Sequence, residues 1–119
     1  MKAEVKKIRL IDHEFDNYRP EDLYDFYLAA EVLVGIAGQE GAEIFSFEVS
    51  TPSWFAKNRM DEPTFVRHWI FMDHYNPQAL EALVRRTIAD AEGETWNEIA
   101  TKLARYMFWE YEDYQPFEA

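Results

Sequence analysis

The 119-residue chain contains no cysteine. That excludes a disulfide framework, a thiolate nucleophile and thiolate metal ligation. It has only four glycines, and no G-x-G-x-x-G, Walker-type or G-x-S-x-G segment, so nothing in it builds a phosphate cradle or a nucleophile elbow. Its three histidines, His13, His68 and His74, form no H-E-x-x-H pattern, and no carboxylate stands at metal-ligand spacing from them on a helix. No metal or cofactor is expected. No apolar run approaches the roughly 20 residues of a membrane helix. The N-terminus, MKAEVKKIRL, has basic residues without an apolar segment behind them, so it reads as a first strand and not as a signal peptide. The expected location is cytoplasmic.

Basic residues are also scarce: 12 Lys and Arg stand against 23 Asp and Glu, for a net charge of -11. Residues 11–31 hold Asp12, Glu14, Asp16, Glu21, Asp22, Asp25 and Glu31 against Arg19, a net -6. Residues 106–119 hold Glu110, Glu112, Asp113 and Glu118 with no base, a net -4. These two segments carry nearly all of the imbalance. Such a field repels nucleic acid and anionic membrane and attracts basic partners, while also keeping the protein dispersed.

Hydrophobic residues make up 48% of the chain and aromatics 17%, which is enough for one real core. Residues 5–10 read as a first strand with Ile8 and Leu10 on one face. Residues 12–25 read as a long loop. Alternation of Leu28, Ala30, Val32, Val34 and Ile36 gives a second strand. The Gly38-Gln39-Glu40-Gly41 turn then leads into an antiparallel partner over 43–49, with Phe45, Phe47 and Val49 on one side. Pro52 opens a short helical turn over 53–58, capped by Thr51 or Ser50. Residues 64–73 read as a strand apolar on both faces, which suits a central position. Asn76-Pro77 opens a helix with Leu80, Leu83, Val84, Ile88 and Ala91 as its buried stripe and Gly93 as its stop. Thr95-x-x-Glu98 is a capping box for a second helix burying Trp96, Ile99, Leu103 and Met107. Residues 108–111 form a last strand, and 112–119 an acidic tail. The expected fold is α+β: one domain over 1–119, a mainly antiparallel sheet of four to five strands, and two C-terminal helices packed on one face.

Two stretches are distinctive: F-x-F-x-V-x-T-P-x-W at 45–54, and the capped helix running into an aromatic, acidic strand at 96–114. In combination they resemble the immunity protein 8 family of bacterial polymorphic toxin systems. The resemblance runs through most of the chain. It implies a single α+β domain without catalysis, encoded beside a toxin that it binds and neutralises. The position before Thr51 is often cysteine in that family. Here it is Ser50, which implies a small packing residue and not a required thiol.

The acidic segments are interleaved with aromatics, and protein interfaces favour aromatic anchors within a polar rim. The expected partner is therefore a cognate toxin, basic in character. Asp22, Asp25, Glu110, Glu112 and Asp113 would supply field, and Trp109, Tyr111 and Tyr114 anchors. The plainer reading of Trp109 is a cap on the core. An alternative from another class is a small hydrolase-like enzyme using Glu48 or His68 beside Trp54; the plainer reading of Glu48 is a solvent-facing strand position. A third is a non-catalytic adaptor subunit, which a homodimer through the Trp109 strand edge would favour.

Overall fold

The computed structural model describes residues 1–113. Strands β1 (Ala3–Leu10), β2 (Tyr27–Ile36) and β3 (Glu43–Ser50) form an antiparallel meander. Helix α1 (Pro52–Arg59) leads to strand β4 (Trp69–Phe71), followed by helices α2 (Pro77–Ala89) and α3 (Trp96–Leu103) and strand β5 (Phe108–Trp109). The sheet order is β1-β2-β3-β4, with β5 also on β3. This is the expected α+β domain with a mostly antiparallel sheet.

One face of the sheet carries the core. Val32, Val34, Phe45, Phe47 and Val49 are at most 2% exposed and meet Leu80, Val84 and Ile88 of α2 and Ile99, Ala100 and Leu103 of α3. The two C-terminal helices therefore cover the same face. In β1 the apolar residues change parity, from Ala3 and Val5 to Ile8 and Leu10. The register shifts at that point, pairing Val5 with Val34 and Lys7 with Leu33. Lys6 is the extra residue of a bulge, and the bulge lets all four apolar side chains pack against the core. The β2–β3 turn needs Gly38 and Gly41, whose φ angles are +79° and +97°.

The 64–73 segment differs from its expected form. Only Trp69–Phe71 is a strand, it lies at the sheet edge, and it runs parallel to β3. Both its faces are apolar because α1 covers one of them. Phe55 packs edge-on against Trp69 and Phe71, while Ile70 points to the core. A strand, a helix and a neighbouring strand make a crossover, and crossovers give parallel pairs. β4 takes the Glu48–Ser50 end of the outer edge of β3, and β5 takes the Phe45–Ser46 end.

The helix caps follow the sequence with two changes. Thr51 accepts from the Trp54 amide, Asn76 from Ala79 and Thr95 from Glu98. Glu98, however, accepts from the Glu94 amide at 2.8 Å and not from Thr95. Helix α2 ends at Ala89, four residues before Gly93, so that glycine is not its stop. A Cβ on Gly93 would lie 2.8 Å from Glu98 Cβ, so what it provides is room for the first turn of α3.

Candidate functional site

Alternation along β2 and β3 turns Tyr27, Ala29, Glu31, Leu33, Ile44, Ser46 and Glu48 away from the core. The register brings Trp69 beside Glu48 and Phe108 beside Ser46 on that same face. α1 folds back over one end of it, and there the aromatic residues assemble. Tyr27 stacks on Trp54 at 4.5 Å, and Trp69 lies 5.7 Å from Tyr27 and 6.4 Å from Trp54. The Arg59 guanidinium, at the last residue of α1, lies over all three rings at 5.4–5.6 Å. That is within range for cation–π attraction to each.

Two hydrogen bonds hold this group in place. The Tyr27 hydroxyl donates to Glu48 Oε1 at 2.6 Å. The Trp69 indole donates to Ser50 Oγ at 2.9 Å, and Ser50 in turn donates to the Thr51 carbonyl. Ser50 is fully buried. It is thus a polar link between β3 and β4 as well as a small residue. Burial raises the Tyr27 pKa, and the bond to Glu48 raises it further.

Beyond α1 towards β5 lies a pocket of 280 Å³, lined by Glu48, Arg59, Phe65, Arg67 and Phe108 among others. Phe65 on its rim is completely exposed, and Val66 and Phe108 are 44% and 40% exposed. Arg67 pairs with Glu112 at 2.6 Å and lies 5.8 Å over the Phe108 ring. On the other side of α1 lies a larger open cleft of 720 Å³, lined by Tyr18, Glu21, Asp22, Tyr24, Asp25 and Trp54 among others. Trp54 borders this cleft and also belongs to the aromatic group.

The site residues read from the sequence fall in two places. Asp22 accepts from the Tyr24 amide, and Asp25 pairs with Lys57 at 2.5 Å. Both lie at the end of β3 where Thr51 bonds to Phe26. Trp109 stacks on Phe45 and donates to Glu43. Glu110 accepts from the Ile44 amide, Glu112 holds Arg67, Tyr111 is exposed, and Asp113 has a left-handed φ of +60°. Tyr114 lies outside the described residues. The length of β3 separates the two acidic groups by roughly 20 Å, at about 3.3 Å per residue. No local signal in the sequence marks Arg59 or Phe65. The aromatic partners of Arg59 are spread over residues 27 to 69, and no local periodicity links them.

Glu48 and His68 are backbone neighbours, the Glu48 amide donating to the His68 carbonyl. Their side chains engage different partners: Glu48 meets Tyr27, and the His68 ring packs edge-on against Phe108 at 4.5 Å. Burial lowers the His68 pKa, with the Arg67 charge adding to the shift. Among the described residues no group of three or more His, Asp or Glu is placed to hold a metal ion, and no helix is long and apolar enough to cross a membrane.

A family model described as immunity protein 8 matches residues 3–114. No curated protein and no solved structure matches the chain.

Proposed function

The chain belongs to the immunity protein 8 family, and from that premise we propose that it captures a cognate bacterial toxin in the cytoplasm and neutralises it by occluding its working surface. The match over nearly the whole chain carries this reading. The charge distribution supports a basic toxin surface as the target. Glu21, Asp22 and Asp25 line an open cleft beside the exposed Tyr24 and the half-buried Trp54. Tyr111 and Asp113 extend the acidic, aromatic character at the far end of β3. Acidic groups speed encounter with a basic partner, and aromatic side chains in a cleft give contact area at small entropic cost. The role is binding and not catalysis.

The test is a titration against the toxin encoded beside this gene, at low and high salt, alongside a growth assay of the toxin with and without this protein. Tight binding with loss of toxicity supports the reading, and steep salt dependence supports the acidic surface. Absence of binding at either salt sinks it.

A further inference from the structure

Among the described residues Arg59 is one of several Lys and Arg side chains without an acidic partner, and what sets it apart is its place over three aromatic rings. Its guanidinium is held over three rings at the end of α1, yet among the described residues no carboxylate lies within 4.0 Å of it. Arg67, which also lies over an aromatic ring, by contrast pairs with Glu112. A guanidinium carries five N–H donors in a planar fork that matches a carboxylate in a two-point contact. Attraction to three rings restrains the side chain in advance, so less side-chain entropy is lost when a carboxylate arrives. The Tyr27 phenol feels the Arg59 charge, which pulls its pKa down against the effect of burial. Among the described residues the Arg59 donors have no acidic acceptor.

The surroundings fit a partner surface. Arg59 opens onto the 280 Å³ pocket whose rim carries Phe65, completely exposed, and Val66. A fully exposed phenylalanine buries no apolar area in the fold, whereas a Phe beside a pre-set Arg is a fitting pair of interface anchors. The pocket also lies between the two acidic groups. Trp54, one of the rings under Arg59, borders the Asp22 and Asp25 cleft, and Arg67 leads to Glu112. The centre of the face carries Arg59 and Arg67 beside apolar side chains and one carboxylate, Glu48, which accepts from the Tyr27 hydroxyl, and its flanks are acidic.

We propose that this pocket is the centre of the toxin interface and that it takes an acidic side chain of the toxin onto Arg59, with Phe65 packing on an apolar neighbour of that carboxylate. This rests on the toxin-binding reading and adds what that reading lacks, a site for a negatively charged group of the partner. The acidic flanks act on encounter. The Arg59 contact acts on how long the complex lasts, because a desolvated two-point ion pair is felt in dissociation.

The experiment measures association and dissociation rates of the neighbouring toxin with the wild type, R59Q, R59K, F65S and E21Q/D22N. R59Q and F65S are each expected to raise the dissociation rate by about tenfold or more with the association rate nearly unchanged. R59K keeps the charge without the fork and should fall between wild type and R59Q. F65S removes only an exposed side chain, so its thermal midpoint should match the wild type, which keeps the test independent of folding. If wild type binds and R59Q and F65S both dissociate within about twofold of it, a change worth under half a kcal/mol, the pocket is not the centre and the inference is overturned. If wild type itself does not bind, the toxin-binding reading falls and this inference with it.

Discussion

Trp96 and Trp109 donate their indole N–H groups to the same oxygen, Glu43 Oε1, at 2.6 and 3.0 Å. Through this one carboxylate the first strand residue after the β2–β3 turn holds both the start of α3 and the two-residue strand β5. β5 has only Phe45 and Ser46 to pair with, so its place depends on such side-chain bonds. E43A leaves two half-buried donors without their acceptor and is expected to cost about 2–3 kcal/mol, since hydrogen bonds to a charged group are worth roughly 1.5–3 kcal/mol each and some of this is recovered by water. E43Q keeps an acceptor oxygen and should cost about 1 kcal/mol or less. Urea denaturation of the two variants checks the order, and equal losses would contradict the shared-acceptor role.

Gly93 yields a second prediction. Its backbone is one that any residue adopts, so the constraint is space and not φ. G93A would place a methyl 2.8 Å from Glu98 Cβ and 3.0 Å from the carboxylate that caps Glu94. Overpacking of this kind costs about 1–3 kcal/mol. A denaturation midpoint equal to that of the wild type would mean the α2–α3 turn relaxes freely.

Much of this fold is legible along the chain because strand alternation and helix caps are local signals. The parity of Leu28 to Val34, the Thr51, Asn76 and Thr95 caps, and the stripe of α2 all correspond to structure. Signals set by tertiary contact are not legible in that way. The Lys6 bulge shows only as a change of apolar parity, which a single-phase reading truncates to residues 5–10. The length and edge position of β4 depend on β5 occupying the rest of β3. The cluster around Arg59 requires β2, α1 and β4 to converge, so Tyr27, Trp54 and Trp69 look like three unrelated aromatics until the sheet order is known.

His68 makes stability depend on pH. It is 7% exposed, takes a φ of +62°, and its Nε2 has no hydrogen-bond partner. Burial, then Arg67, lowers its pKa in the native state, against a weaker opposing pull from Glu112. The unfolded chain therefore takes up a proton as pH falls below about 6.5, while the native state does not. Native stability from this residue is present above that pH and declines as pH drops towards the lowered native pKa. Asparagine tolerates a left-handed φ, so H68N keeps the backbone and removes the titration. The fall in thermal midpoint from pH 7.5 to pH 5.5 should be smaller in H68N than in the wild type. Equal falls would assign the acid sensitivity elsewhere.

The acidic residues differ in how cleanly they report on encounter with a toxin. Glu110 accepts the Ile44 amide and Glu112 holds Arg67, so neutralising either also loosens the β5 end of the sheet. Glu21 and Asp22 are exposed, and an Asn at 22 can still accept the Tyr24 amide. E21Q/D22N therefore removes two charges with little structural change. If these carboxylates steer a basic toxin, the variant should associate several-fold more slowly at low salt. The deficit should shrink at 0.15 M salt and above, where the screening length is about 8 Å or less. Thermal stability should stay within about 0.5 kcal/mol of the wild type, as for most surface substitutions. Stopped-flow association at two ionic strengths decides the point. A rate unchanged at low salt would leave the acidity of residues 11–31 as a solubility feature and shift the search for the toxin contact to the Arg59 pocket.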